Sequence, residues 1–265
     1  MELRVAGEAA YAYTGGKPFD AGLPAVVFIH GGELDHSVWT LQSRYFAHHG
    51  RAVLAVDLPG HGRSGGPPLA SIEAMAEWVV ALLDAAGVKS AAALVGHSMG
   101  SLVALECAAK HPQRISRIAL VGTAFPMKVS PELLKAAQSR EPEALRMINT
   151  WSHSGPAQYP GNPGPGTWVS GGSLQLMRRQ KPGVLHADFA ACDAYKTGLE
   201  RAAQVKCPAL FLLGRLDAMT PARSGRELAA AVPGSSVKLL GNAGHNLMGE
   251  KPDEVLDILA EFLRA

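Results

Sequence analysis

Short apolar runs alternate with segments of helical periodicity along most of this sequence of 265 residues. The runs at 25–29 and 52–56 are continuous and rich in β-branched residues, as is typical of strands buried on both faces of a parallel sheet. Residues 71–86 instead place apolar side chains at helical spacing behind Ser71, a favourable N-cap. The pattern predicts strands at 3–5, 9–13, 25–29, 52–56, 91–95, 117–122, 209–213 and 236–240, and helices at 37–49, 71–86, 101–110, 222–232 and 252–264.

The middle of the chain departs from this alternation. Residues 152–172 contain six glycines and four prolines, which predicts an irregular, mobile loop. On either side of this loop the pattern predicts helices at 131–151, broken near Pro142, and at 173–180 and 185–195. These helices offer apolar side chains that could seal a pocket: Leu133, Leu134, Met147, Ile148, Trp151, Leu174, Leu176, Met177 and Phe189. Their cations are expected on polar faces that meet solvent: Arg140, Arg146, Arg178, Arg179 and Lys181.

The regular alternation of strands and helices predicts an α/β fold with a mostly parallel, doubly wound sheet. Residues 1–124 and 205–265 are expected to form this core, because the pattern of the first part resumes in the last. Residues 125–204 are expected to form a helical lid that is inserted after the sixth strand.

One strand-to-helix junction carries a serine between two glycines. The apolar run 91–95 leads into Gly-His-Ser-Met-Gly at residues 96–100, and a strong helix former follows. A Cβ atom at Gly96 or Gly100 would clash as the helix folds back over the strand, so we predict that Ser98 stands on a sharp turn. The N-terminus of the helix would then point its partial positive charge at Ser98. For the pentapeptide alone, a serine that merely caps the helix is the alternative.

Further chemical groups follow other strands, at the sheet edge where the sites of parallel folds lie. A serine nucleophile needs a base, and the base needs a group that orients it and stabilises its cation. His245 is predicted to be the base for Ser98, and Asp217 to be the orienting acid, since each follows a strand. Asp188 and Asp193 lie in the middle segment and compete weakly for the role of the acid.

The order Ser98, Asp217, His245 resembles that of the α/β-hydrolase family. Five motifs at strand ends carry the resemblance, which covers nearly the whole chain: His30-Gly31, residues 57–64 (Asp-Leu-Pro-Gly-His-Gly-Arg-Ser), residues 96–100, residues 214–217 with Thr220-Pro221, and Gly244-His245. Within the family the chain looks closest to small serine esterases and cofactor-free haloperoxidase-like hydrolases. A serine rather than an aspartate at position 98 argues against the haloalkane dehalogenase and epoxide hydrolase branches.

The resemblance implies a serine hydrolase that cleaves a small or medium, largely apolar ester or related acyl compound. Its oxyanion is expected at the backbone N–H groups of Met99 and Gly32, with Glu33 as the alternative to Gly32. The residues expected to line the substrate pocket are His36, Trp39, Met127 and Trp151. Two other functions remain open, namely a C–C bond hydrolase or lyase with the same triad, and a receptor of this fold that binds a ligand with negligible turnover.

Charge and composition narrow the expected partners to a small-molecule substrate. Lys and Arg number 25 and Asp and Glu 23, so the net charge is only +2, and no basic block favours nucleic acid. No apolar run approaches the roughly 20 residues that span a bilayer, and the N-terminus lacks the apolar stretch of a signal peptide.

The cysteines and histidines predict neither disulfides nor a metal. Cys107, Cys192 and Cys207 are few and odd in number, which favours a reducing, cytoplasmic location. His30 and His36 have no partners at metal-ligand spacing, so no metal and no cofactor are expected.

Overall fold

The structure, a computed structural model, describes residues 1–159 and 167–264. The strands in these residues are β1 (Glu2–Val5), β2 (Glu8–Tyr13), β3 (Ala25–Ile29), β4 (Ala52–Asp57), β5 (Ala92–His97), β6 (Ile115–Val121), β7 (Ala209–Gly214) and β8 (Ser236–Leu240). The helices are α1 (Thr40–His48), α2 (Ile72–Ala85), α3 (Met99–Lys110), α4 (Pro131–Ser139), α5 (Glu141–Ser152), α6 (Val169–Arg178), α7 (Val184–Ala194), α8 (Gly198–Gln204), α9 (Ala222–Ala230), α10 (Leu247–Glu250) and α11 (Pro252–Arg264). Short 3-10 helices span His36–Trp39 and Pro156–Gln158.

The strands form one sheet of mostly parallel strands, which confirms the predicted fold class. Within the part of the chain that the structure describes, the sheet has eight strands in the order β1-β2-β4-β3-β5-β6-β7-β8. Pairing is antiparallel between β1 and β2 and between β2 and β4, and parallel at every other recorded junction. This order places the end of β3 directly beside the end of β5, where Ser98 lies.

Two apolar layers cover the sheet, one on each face. In β3 the side chains alternate, because Val27 and Ile29 belong to one cluster and Val26 and Phe28 to the other. Helices α2, α3 and α9 pack in the first cluster, and α1 and α11 in the second. Among the described helices, none is long and apolar enough to span a membrane.

A helical insertion, residues 125–204, stands between β6 and β7, and its limits as a lid domain stay a prediction. Helices α4, α5, α6 and α7 share an apolar cluster that includes Leu133, Leu145 and Met177. The end of the insertion contacts the core through α3, where the Tyr195 hydroxyl donates to Glu106 at 2.7 Å. The insertion therefore has its own core and is also attached to the sheet domain.

The predicted irregular stretch at 152–172 is only partly irregular. Residues 160–166 lie outside the described residues, but α6 already begins at Val169, so the prediction is wrong for 169–172. Local packing accounts for one of the two glycines at this helix start, since a Cβ on Gly171 would come within 2.3 Å of the ring of Trp168, the residue just before α6. Helices α8 and α10 were not predicted, because segments of seven and four residues are too short to show a helical period.

The close contact at Gly100 leads to a testable prediction about stability. A Cβ there would lie 2.5 Å from the carbonyl oxygens of His30 and Ile29, which are backbone atoms of β3 and its end. We expect Gly100→Ala to lower the free energy of unfolding by at least about 2 kcal/mol in urea titrations. Gly172→Ala, in α6, is the matched control, because nothing lies within 4 Å of its added Cβ. Equal urea midpoints for the two variants would contradict the close approach.

Candidate active site

Ser98 occupies a strained turn between β5 and α3. Its backbone has φ 52° and ψ −119°, in a region that residues other than glycine rarely adopt. The adjoining glycines permit this turn, because a Cβ on Gly96 would lie 2.0 Å from the carbonyl oxygen of Gly100. The strain presents Ser98 to a cavity above the sheet edge, as the sequence predicts.

His245 follows β8, and its ring is oriented by Asp217, which follows β7. The Nδ1–H of His245 donates to Asp217 Oδ2 at 2.8 Å. Thr220 Oγ1 also donates to this oxygen, at 2.7 Å, and lies 3.1 Å from Nδ1. Because Nδ1 carries the proton of the neutral ring, Nε2 bears the lone pair, and His245 and Ser98 line the same cavity.

The carboxyl group of Asp217 is buried yet well provided with donors. Its other oxygen accepts the N–H groups of Met219 at 2.9 Å and Thr220 at 2.7 Å. Burial raises the pKa of Asp217, but the charge and hydrogen bond of His245 and the donors of Thr220 outweigh it, so the pKa is lowered overall. Asp217 is thus an anion that can stabilise a protonated His245.

The backbone of His245 is held from the core and from the insertion. His97 Nε2–H donates to the carbonyl oxygen of His245 at 2.9 Å. From α5, the carbonyl oxygen of Ser152 accepts the N–H groups of His245 at 3.0 Å and Asn246 at 2.9 Å. Burial and the neighbouring His245 lower the pKa of His97 to about 3, so this second imidazole stays neutral.

The loop after β3 lies beside Ser98 and is braced by His30. The Nδ1–H of His30 donates to the carbonyl oxygen of Gly31 at 2.8 Å, and Nε2 accepts the N–H of Leu58 at 3.1 Å. Gly31 borders the serine closely, because a Cβ on Gly31 would lie 3.1 Å from the Ser98 Cβ. Gly31, Gly32, Ser98 and Met99 therefore line one cavity.

The N–H of Glu33 is already engaged, which separates it from its neighbour Gly32. It donates to Asp188 Oδ2 at 2.8 Å, pointing at helix α7. Within the described residues, no acceptor is recorded for the N–H of Gly32 or of Met99. The Glu33 N–H is therefore not available to a group in the cavity, and the role of the Gly32 N–H as an oxyanion donor stays a prediction.

Glu33, His61 and Asp188 form a buried cluster below this loop. The Nε2–H of His61 donates to Asp188 Oδ2 at 2.8 Å, and its Nδ1–H to the carbonyl oxygen of Pro59 at 3.0 Å. Burial lowers the pKa of His61, but the charge and hydrogen bond of Asp188 outweigh it, and the pKa is raised. Burial, with the negative charges of Asp188 and Glu141, raises the pKa of Glu33 to about 9, so its side chain is a neutral acid.

The cavity over Ser98 has a volume of about 270 Å³ and a largely apolar wall. Helices α4 to α7 provide much of that wall, through Leu133, Ile148, Trp151, Met177 and Phe189. Polar residues also line the cavity, among them Asn149, His153 and Asn246. Among the described cations only Lys128, which is exposed, lines the cavity.

Two of the four predicted lining residues lie elsewhere. Trp39 is fully buried below the loop, with its ring 5.3 Å from that of Phe28, because an apolar ring at this helix start is drawn into the core. His36 is half-buried, and its Nδ1 hydrogen bonds Asp57 at 2.7 Å. Met127 and Trp151 do line the cavity, and their contact with substrate stays a prediction.

Asp35, His36 and Asp57 bring three potential metal-ligating atoms within 4.8 Å of one another. Their oxygens are already used, however, since Asp57 accepts the backbone N–H groups of His36 and Arg63 at 2.8 Å each. Asp35 likewise accepts two hydrogen bonds from Ser37 and pairs with Arg179. The donor set fits a hydrogen-bonded loop without an ion.

Sequence reasoning missed two groups of the site, and the two residues that compete weakly with Asp217 lie elsewhere. Thr220 was noted only in a family motif, and its hydroxyl bridges Asp217 and His245. The carbonyl oxygen of Ser152 carries no sequence signal, because a backbone acceptor is the same in every residue. Asp188 and Asp193 do not contact His245, since they accept from His61 and Val129.

Comparisons with known proteins identify the fold family. A family model described as alpha/beta hydrolase fold matches residues 24–142. A pimeloyl-[acyl-carrier protein] methyl ester esterase of Chromobacterium violaceum is 31% identical over 253 residues, covering 91% of this chain and 94% of that one. A putative carbamate hydrolase of Klebsiella pneumoniae is 29% identical, with 92% of each chain covered. The crystal structure of the enol-lactonase from Burkholderia xenovorans superposes with a TM-score of 0.87, at 26% identity and full coverage of both chains.

The neutral side chain of Glu33 predicts a specific pH dependence of stability. Its pKa rises from an ordinary 4.5 to about 9 on folding, so between these values the folded chain binds one proton more than the unfolded chain. Rising pH therefore lowers the free energy of unfolding, by about 1.4 kcal/mol for each pH unit. Glu33→Gln removes this titration and leaves its neighbours in place.

We expect the stability of Glu33→Gln relative to the wild type to increase steadily from about pH 5 to about pH 9. Urea titrations at several pH values measure the difference in the free energy of unfolding between the two proteins. The effects of other titrating groups cancel in this difference. A difference that stays constant over this interval would show that Glu33 ionises at its ordinary value.

Proposed function

The chain belongs to the α/β-hydrolase fold family and is a hydrolase, and we propose that it is a serine esterase acting on small or medium, largely apolar carboxylic esters. One observation carries the proposal: an imidazole with its Nδ1–H donated to a buried carboxylate shares a cavity with a serine held at φ 52°. This geometry suits transfer of a serine proton to Nε2. The esterase and lactonase among the similar proteins support the same chemistry.

The reaction proceeds in two halves. As Ser98 Oγ attacks the carbonyl carbon of the ester, His245 Nε2 takes its proton, and the carbonyl electron pair moves to oxygen. Collapse of this intermediate breaks the bond to the alcohol oxygen, which receives the proton from His245. Water, deprotonated by the same imidazole, then attacks the acyl-enzyme and releases the acid and Ser98. Asp217 stays ionised throughout and stabilises the transient imidazolium.

Backbone N–H groups of Gly32 and Met99 bind the oxyanion in this mechanism. Met99 begins α3, where the unpaired N–H groups and the dipole of the helix favour negative charge. Gly32 belongs to the loop beside Ser98, and its N–H has no recorded acceptor in the described part of the chain. Both donors are held in place before substrate binds, which is what makes such groups effective.

The substrate class follows from the cavity wall. Apolar side chains of the insertion face an interior of about 270 Å³, which suits an acyl or alcohol group of modest size. The Arg and Lys residues of the insertion that the sequence places on polar helix faces do not line the cavity in the described residues. Two of them contact the core instead: Arg179 pairs with Asp35, and Lys181 donates to the carbonyl oxygen of Ser64. A carboxylate deep in the cavity would therefore lack a cationic partner.

Loss of the nucleophile tests the mechanism. We expect Ser98→Ala to lower kcat by at least about 10³-fold with an unchanged fold, because the members of a triad act as a unit. A fluorophosphonate probe should label the wild type at Ser98 and fail to label the variant, and Ser139→Ala, on the exposed end of α4, should behave as the wild type. Near-normal turnover by Ser98→Ala would show that Ser98 is not the nucleophile. A wild type that is not labelled at Ser98 and that turns over no p-nitrophenyl ester, whatever its chain length, would instead indicate a receptor.

A comparison of matched substrates tests the apolar cavity. We expect kcat/KM to be higher for neutral short- and medium-chain esters than for analogues of equal size that carry a carboxylate or phosphate. The reason is the desolvation of a charge whose only cationic neighbour among the described lining residues is the exposed Lys128. A preference of about tenfold or more for the charged analogues, a difference of about 1.4 kcal/mol, would contradict the apolar cavity. It would indicate a cationic side chain that faces into the cavity.

A further inference from the structure

Beyond Ser98, Asp217 and His245, one buried carboxylate joins the insertion to the loop that carries Gly32. Asp188 of α7 is fully buried, and His61 and Glu33 beside it are 1% and 2% exposed. A single oxygen of Asp188 accepts both the Glu33 N–H and the His61 Nε2–H, each at 2.8 Å. Nothing in the proposed mechanism uses this charge directly.

The hydrogen bond to Glu33 determines how the loop runs past Ser98. Glu33 has φ 58°, a left-handed conformation that costs free energy in a residue other than glycine. Its N–H points at Asp188, so the N–H of the peptide group between Gly32 and Glu33 is directed at α7 and not at the cavity. The preceding N–H, of Gly32, has no recorded acceptor among the described residues, and Gly32 lines the same cavity as Ser98.

Close packing also fixes the position of this loop against α7. A Cβ on Gly32 would lie 3.1 Å from the Phe189 ring and 3.3 Å from the Asp188 Cβ, so the loop rests directly on α7. The position of Gly32 therefore depends on where α7 presents residues 188 and 189.

His61 holds the carboxylate of Asp188 in one orientation. The ring of His61 is fixed at its other nitrogen by the carbonyl oxygen of Pro59, at 3.0 Å. Its positive charge compensates the buried carboxylate, which would otherwise be expelled or neutralised. An ionised oxygen also accepts the Glu33 N–H more strongly than a neutral one.

We propose that Asp188 is a positioning residue for the hydrolysis: from the insertion it holds the Glu33 peptide and thereby aligns the Gly32 N–H with the developing oxyanion. The inference rests on the proposed function. It makes docking of α7 a condition for the chemical step and gives the insertion a role beyond lining the cavity.

Three substitutions at Asp188 separate positioning from packing. Asp188→Leu has a similar shape but no acceptor, and Asp188→Ser, whose side chain is too short to reach both donors, serves if the leucine variant does not fold. Asp188→Asn keeps an acceptor: its amide oxygen, placed where Oδ2 lies, can accept both the Glu33 N–H and the His61 Nε2–H. Asp193→Ala is the control, because Asp193 lies on the same helix and accepts a backbone N–H from Val129 at 3.1 Å, away from the loop.

The measurements are kcat and KM per active site titrated with a fluorophosphonate, and the Kd of an alkyl boronic acid. A boronic acid forms a tetrahedral adduct on a serine and reports on oxyanion binding without turnover. We expect Asp188→Leu or Asp188→Ser to lower kcat by about 10²-fold, with KM changed less than about threefold. The boronate Kd should rise by the same factor as kcat/KM falls. Asp188→Asn should stay within about tenfold of the wild type in kcat, and Asp193→Ala should match it.

Three results would overturn the proposal. The first is a lower Tm with unchanged kcat per titrated site in Asp188→Leu or Asp188→Ser, which is a purely structural effect. The second is a loss in Asp188→Asn as large as that in Asp188→Leu, since the acceptor is retained. The third is an equal loss in Asp193→Ala. Failure of the proposed function has a different signature, namely a wild type that binds no boronate and a Ser98→Ala variant that keeps its activity.

Discussion

The close approach of α3 to the ends of β3 and β5 is the constraint on which the site depends. A side chain at Gly96 or Gly100 would overlap backbone atoms of the opposite segment, at 2.0 Å and 2.5 Å. The helix therefore folds back directly over the strand, and the residue between them is forced to φ 52°. That one compressed turn lifts Ser98 out of the sheet, points the start of α3 at it, and brings it beside the loop after β3.

Electrostatics on the other side of the cavity complement this geometry. Asp217 remains charged in a buried position because four donors surround it, and its charge fixes which nitrogen of His245 carries the proton. His97 is also buried, but no carboxylate within the described residues pairs with it, and its pKa falls to about 3. Two neighbouring imidazoles thus differ in chemistry because only one of them has an anionic partner.

The helical insertion is part of the site and not merely a cover. It contacts the loop of His245 through the carbonyl oxygen of Ser152, and the loop of Gly32 through Asp188. Its apolar side chains form the cavity wall between these two contacts. Any movement that opens the cavity on these sides must break hydrogen bonds that orient the groups proposed to act, so the insertion and the proposed chemistry are mechanically linked.

The sequence by itself determined the sheet, the compressed turn at Ser98, and the order of the chemical groups, because strand periodicity and glycine spacing are local properties of the chain. It also ranked Asp217 above Asp188 and Asp193, since residue 217 follows a strand at the edge that carries Ser98. Only the tertiary structure decided that the N–H of Glu33 is engaged, because its acceptor lies 155 residues away on α7. The same holds for Trp39, whose ring could have lined a pocket or filled the core, and for Ser152, whose carbonyl group acts through its position alone. Contacts between distant segments depend on how the insertion packs on the sheet, and no local pattern encodes that packing.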